Sequence, residues 1–334
     1  GVLYKESLFS PISFTPYSDS VPEHLLPLAV RDFALKNDFN FVSFRKDLCS
    51  LEAFLQVSDD LFFYLGEEDS VLYFLLQKYS YNFKKHLNGR KKQYSTVKEN
   101  SDLLGLTTVE LCVSDLCNRT CIFCPRGELG SYKNNAKFMS IETVHKVVRD
   151  LSSCEYTGSI HLCGFGEPLL NPDILEIVTC VRESLPDSHV EITTNGDFLN
   201  DDFVTSLIRS GLSKLIVNCY DNFIQVLKRV EFFSKYKNLN LQLRYHLLDP
   251  SLDLSANMEK FGFNNRSGNL SGVCSSSDSL ERECFYPFYR LTIDWDGRVL
   301  LCCNDWGKTY SGLGNVNSVG IRSLWSSEEF LRIR

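Results

Sequence analysis

The chain has no apolar run approaching the roughly 18 residues that a membrane-spanning helix needs. Nor does it open on the charged-then-apolar stretch of a secretory signal. A cytoplasmic protein that does not enter a membrane is expected. Positive charge is also short: 35 Lys and Arg against 42 Asp and Glu leave a net charge of −7, which argues against a nucleic-acid-coating surface. One stretch departs from this, "KKHLNGRKKQYSTVK" at 84–98, where Lys84, Lys85, Arg90, Lys91 and Lys92 gather. Such runs are usually solvated faces, with docking of an acidic partner as the alternative. With 43% hydrophobic and 23% charged residues the composition is globular. At 334 residues the chain suits one large catalytic domain with smaller attachments.

What the chain does have in quantity is cysteine, 13 in all. The number is odd and a reducing compartment disfavours disulfides, so metal or redox chemistry is expected rather than a disulfide framework. The cysteines are unevenly placed. Residues 1–105 hold Cys49 alone and read as an α+β region, with a strand expected at "FNFVSFR" (39–45) and helical periodicity across "DSVLYFLLQKYSYNFKKHL" (69–87).

From about residue 108 strand and helix patterns alternate. "TVELCVS", "SIHLCGF", "HVEITTNG", "SKLIVNCYD" and "NLQLRYHLL" read as strands, and the segments between them as helices, the third ending in glycine at "NDDFVTSLIRSG". Serial β/α units imply a parallel sheet with helical crossovers, either an open doubly wound sheet or a full or partial barrel, with chemistry at the C-terminal strand ends. After residue 250 the rhythm stops in a Ser-, Asn- and Gly-rich loop, followed by a compact cysteine-bearing tail. The expected domains are thus 1–105, 106–250 and 251–334.

The stretch "DLCNRTCIFCPRG" (115–127) spaces Cys117, Cys121 and Cys124 as C-x3-C-x2-C just after the first strand of this series. A structural zinc site wants four ligands, and no second cysteine pair or histidine knuckle lies nearby. Ferredoxin-type clusters use four thiolates. Three thiolates on a [4Fe–4S] cluster leave one iron open to a small molecule.

With Phe123 as its aromatic residue, this motif resembles the signature of the radical S-adenosylmethionine (SAM) enzymes, a resemblance covering roughly residues 108–334. It implies a partial (β/α)6 TIM-like barrel, with the SAM amine and carboxylate on the open iron and reductive cleavage to a 5′-deoxyadenosyl radical. "CGFGEP" (163–168) resembles the family's GGEP motif, so Gly164, Gly166, Glu167 and Pro168 are expected around the methionyl ammonium, the glycines permitting close approach. "TTNG" (193–196) resembles the position that binds the SAM ribose through Thr194 and Asn195, a helix-entry turn being the alternative. Arg244, in "LQLRYHLL", could meet the SAM carboxylate or serve a structural salt bridge.

In the tail, Cys284, twelve residues, Gly297, four residues and Cys302 resemble the opening of the SPASM and twitch extensions, which hold auxiliary iron–sulfur clusters. An Asp-Gly turn at 296–297 would make "LTIDWDGRVLLCC" a hairpin. No cysteine follows Cys303, so one auxiliary cluster, of [4Fe–4S] type, is expected. Cys303 and Cys274 are the further candidate ligands, and of the adjacent pair Cys302–Cys303 one should ligate while the other packs. The cysteines at 49, 112, 154, 163, 180 and 219 read as small core residues, except that Cys219, ending a strand, could donate a hydrogen atom.

The resemblance implies hydrogen-atom abstraction from a C–H bond, with a flavodoxin or ferredoxin-type electron donor. A sugar-like or other small polar substrate, dehydrogenated or epimerised, is the leading expectation. A peptide maturase is the second, and a non-catalytic iron–sulfur protein the third.

Overall fold

The computed structural model describes residues 2–4, 11–13, 41–45, 62–68 and 71–76 and, from 103 onward, all but 104, 128–131, 222, 246–265, 267–268, 271–283, 285, 309 and 311. Cys49, Cys274 and the basic segment 84–98 lie outside the described residues. Two compact units emerge, one of residues 1–82 and 218–247 and the other of 83–217 and 248–334.

The first unit contains an antiparallel sheet of β1 (Val2–Tyr4), β2 (Pro11–Ser13), β3 (Phe41–Arg45), β4 (Phe62–Glu68) and β5 (Val71–Leu76), in the order β2-β1-β3-β5-β4. The expected strand at 39–45 is β3. The helix expected across 69–87 is not what forms at its start: Val71–Leu76 is a central strand paired with both β3 and β4. Its sequence, VLYFLL, mixes aromatic and β-branched residues that suit a pleated surface, and two flanking strands decide what a short apolar run cannot.

The second unit carries the parallel sheet. β6 (Thr108–Cys112), β7 (Ser159–Cys163), β8 (His189–Thr194) and β9 (Lys214–Cys219), whose last two residues are grouped with the first unit, pair in parallel in chain order. They alternate with α1 (Ile141–Ser153), α2 (Ile174–Ser184) and α3 (Asp201–Arg209). Local signals set the first and third of these helices. Ser140 caps α1 by accepting from the Thr143 N–H, and Val144, Val147, Val148 and Leu151 form its buried stripe. Asn200 caps α3 through the Phe203 N–H. The next helix, α4 (Phe223–Ser234), and β10 (Leu241–Tyr245) are grouped with the first unit.

The tail adds to this sheet. β11 (Arg290–Ile293) runs parallel to β6, with Thr292 opposite Glu110, and β12 (Val299–Leu300) turns back antiparallel to it. The turn falls at Asp296–Gly297 as expected, with Gly297 at φ 84°. β6 therefore has β7 on one side and β11 on the other, which is why all five of its residues are buried. No described helix is long and apolar enough to cross a membrane.

Candidate functional site

The loop after β6 is held by its own backbone and by two neighbouring loops. The Cys124 N–H donates to the Cys121 carbonyl (2.9 Å) and the Gly127 N–H to that of Cys124 (2.8 Å), forming a tight double turn around Cys121, Phe123 and Cys124. Phe123 is buried. Asn134 grips Cys117 twice, its Oδ1 taking the Cys117 N–H (2.9 Å) and its Nδ2 donating to the carbonyl (2.8 Å). All three thiols are half-buried and in no disulfide, and burial pushes that of Cys117 up.

The "CGFGEP" turn packs against this loop. Gly164 has φ 123°, and a Cβ there would lie 2.5 Å from Cys112 Sγ; one on Gly166 would lie 2.4 Å from the Ser114 carbonyl oxygen. These glycines are needed for approach to the β6 loop itself, a requirement in addition to the expected approach of a ligand. The Glu167 N–H donates to the Leu116 carbonyl (2.8 Å), and Pro168 opens a short 3-10 turn, Pro168–Leu170.

The Glu167 carboxylate faces inward. Its Oε1 accepts from the Leu169 N–H (3.1 Å) and Thr194 Oγ1 (2.5 Å), and its Oε2 from the Asn195 N–H (2.8 Å). Thr194 and Asn195, both buried, thus join "GFGEP" through one carboxylate. Burial raises the Glu167 pKa, against the pull of those three donors. A second tie closes the ring. Asn195 Nδ2 donates to Asn118 Oδ1 (2.7 Å), and Arg119 forms a two-pronged pair with Asp197 (Nε at 2.5 Å, Nη2 at 2.6 Å). Three strand ends, those of β6, β7 and β8, are locked together at one point.

Behind the cysteine loop, Cys112, Phe165, Leu300 and Trp306 form a buried cluster against which Cys124 and Tyr132 pack. The Trp306 ring meets those of Tyr132 and Phe165 edge-on, at 4.9 and 4.8 Å. Beside it opens a groove of about 270 Å³, lined by Asp115, Tyr132, Lys133, Arg298, Trp306 and Lys308 among others. In the tail, Cys284 is exposed and Cys302 and Cys303 follow β12. A hydrogen bond from Cys303 and one from the Asn304 N–H bring the Cys302 thiol down to about 7, while the same bond and burial push Cys303 well up.

Cys219 is buried at the end of β9, and Arg244 lies on β10; both belong to the first unit. Among the described residues no three His, Cys, Asp or Glu side chains converge tightly enough for a single metal ion. A four-iron cube, whose ligands each bind a different iron, suits more widely spaced thiols. Sequence reasoning missed Asp115, Arg126, Asn134 and Asp197. Asp115 and Arg126 pair with each other inside the cysteine stretch, whereas Asn134 and Asp197 reach that stretch from outside it.

A half-buried, three-thiol loop at the end of the first strand of a parallel β/α sheet, followed by further cysteines in the tail, is an arrangement suited to iron–sulfur clusters on an open partial barrel. The radical SAM superfamily model matches residues 111–230, and that of the iron-sulfur cluster-binding (SPASM) domain matches 284–334. Residues 111–230 are thus a radical SAM domain and residues 284–334 a SPASM domain. These two domains imply SAM, a [4Fe–4S] cluster and an auxiliary iron–sulfur cluster. The chain is 26% identical over 226 residues to the S-adenosyl-L-methionine-dependent 2-deoxy-scyllo-inosamine dehydrogenase of Niallia circulans, covering 68% of this chain and 84% of that one. It is 37% identical over 89 residues to GTP 3',8-cyclase of Klebsiella pneumoniae subsp. pneumoniae, 26% of each chain. The crystal structure of BtrN in complex with AdoMet and 2-DOIA superposes with a TM-score of 0.55 at 26% identity, over 69% of this chain and 85% of that one.

Proposed function

We propose that the protein dehydrogenates a small, hydroxyl-rich substrate of sugar or cyclitol type. The observation that carries this is the likeness to the inosamine dehydrogenase over 84% of that protein's length. The groove beside Trp306 agrees in chemistry. Its carboxylates and ammonium groups can exchange hydrogen bonds with hydroxyls, and its aromatic faces can take the apolar side of a ring.

Cys117, Cys121 and Cys124 would hold the SAM-associated cluster, with Phe123 buried in the same loop. Gly164, Gly166, Glu167 and Pro168 would border the methionyl group, and Thr194 and Asn195 the ribose side. Arg244 remains the candidate partner of the SAM carboxylate. Cys284 and Cys302 would hold the auxiliary cluster, with Cys303 or Cys274 completing it. The donor set fits. A Cys302 thiol near 7 is readily a thiolate at neutral pH, and the indole N–H of Trp306, four residues on, is buried without a hydrogen-bond partner, a donor suited to cluster sulfur. When bound, the clusters and SAM supply a hydrogen-abstracting organic radical and an acceptor for the second electron. The chain's own residues set position. Glu167 retains one free lone-pair direction on Oε2 for an ammonium, and the Arg119–Asp197 and Asn118–Asn195 ties keep the cysteine loop over the β8 end.

A flavodoxin or ferredoxin-type donor would deliver the priming electron, in the cytoplasm. The test is product mass from a panel of amino- and polyhydroxylated cyclitols and sugars, with reduced, reconstituted enzyme. Dehydrogenation gives a product two hydrogens lighter, and Cys219→Ala keeps turning over. A mass-neutral product carrying one deuterium from heavy water, stalled in Cys219→Ala, would overturn dehydrogenation in favour of epimerisation. Turnover of a peptide alone would overturn the substrate class.

A further inference from the structure

Two residues past the last thiol of the cysteine loop stands Arg126, whose side chain is 2% exposed. Its guanidinium has five N–H donors, and five hydrogen bonds use them. Nε donates to the Phe165 carbonyl (2.6 Å), Nη1 to Asn134 Oδ1 (2.9 Å) and the Lys133 carbonyl (3.3 Å), and Nη2 to the carbonyl (2.7 Å) and Oδ1 (3.2 Å) of Asp115. The plane lies 4.8 Å over the Tyr132 ring. Asp115 is held in turn by the Tyr132 hydroxyl (2.6 Å) and by Asn135 Nδ2 (3.0 Å).

These bonds reach both halves of the site. Phe165 is the second residue of the "GFGEP" turn. Asn134 Oδ1 takes the Arg126 N–H together with that of Cys117, so the cation dictates which way the Asn134 amide faces and hence that both polar groups of Cys117 are gripped. Only a planar, forked cation can serve acceptors in three segments at once; a lysine ammonium has three donors and no plane.

We propose that Arg126 is a positioning residue that holds the Cys117–Cys124 thiols and the Gly164–Pro168 turn in one fixed relation. SAM must meet both together, so it finds a preset site instead of organising one. This assignment rests on the reading of those motifs given under Proposed function.

The test compares Arg126→Met, Arg126→Lys and Asn134→Ala with the wild type in anaerobically reconstituted full chain. Iron content, SAM dissociation constant and the SAM-induced change in the electron paramagnetic resonance spectrum of the reduced cluster are measured. Iron content should stay at the wild-type level. SAM binding should weaken about tenfold or more in Arg126→Met, as for loss of a charge-assisted contact, with a diminished spectral response. Arg126→Lys should recover part of it, and Asn134→Ala should show a smaller loss of the same kind.

Lowered thermal stability with unchanged SAM affinity and spectral response would make Arg126 merely structural and overturn the proposal. If Arg126→Met does not fold, Asn134→Ala decides, and unchanged SAM binding there overturns it equally. The underlying reading fails separately. It falls if the Cys117, Cys121, Cys124 triple alanine variant keeps the SAM-dependent spectrum, whereas loss of that spectrum with a wild-type Arg126→Met sinks the arginine assignment alone.

Discussion

A single carboxylate shows how residue-scale chemistry ties the site together. Glu167 accepts from Leu169, Thr194 and Asn195 while nearly fully buried. Glu167→Ala strands those donors and should lower stability by about 1–3 kcal/mol. It should also weaken SAM binding while leaving iron content alone. Burial raises the Glu167 pKa, so without SAM the folded protein takes up this proton at a higher pH than the unfolded chain does. The stability that protonation contributes is full below the unfolded pKa and lost as pH rises through the folded one. An ammonium ligand prefers the ionised form, so SAM affinity should fall as pH drops through the raised pKa, whereas Glu167→Gln should be flat there. Parallel pH profiles by titration calorimetry would remove Glu167 from the SAM site. The three thiols are legible from their spacing, and this acid from the resemblance of "CGFGEP" to a family motif. Arg126 is not, because its acceptor at Phe165 lies 39 residues away in the chain, and only folding brings the two together.

At the scale of elements, the seam between β6 and β11 joins the cysteine-bearing tail to the barrel sheet. Across it Arg290 pairs with Glu110, both nearly buried. Breaking such a pair strands a charge, so Arg290→Met should cost about 3–5 kcal/mol in chemical denaturation, and a Glu110→Met, Arg290→Met double variant should regain much of that. Additive losses would show that the pair is not coupled. The hairpin was legible from its Asp-Gly turn, and α1 to α3 from their periodicity. The parallel pairing with β6 was not, since 180 residues separate Arg290 from Glu110 and a hairpin's pattern does not name the strand it joins. The strand β5 was misread as helix for the same reason: its partners, not its period, decide its state.

For the whole molecule the measurable quantity is iron. Two four-iron clusters predict about eight irons per reconstituted chain, and the Cys117, Cys121, Cys124 triple alanine variant should hold about four. Wild-type iron content in that variant would mean the first cluster is misplaced; four irons in the wild type would leave the tail without one. Ligand chemistry depends on residue type and short spacing, so the C-x3-C-x2-C loop, "GFGEP" and the cysteine tail could be read along the chain, as could the β/α order that follows from local periodicity. Which loops meet was decided by tertiary structure. The carboxylate of Glu167 closing on β8, Arg126 clamping three segments, and β11 docking on β6 all pair groups far apart in the chain, and such pairings form only when burial in a common core makes each unsatisfied donor or charge costly.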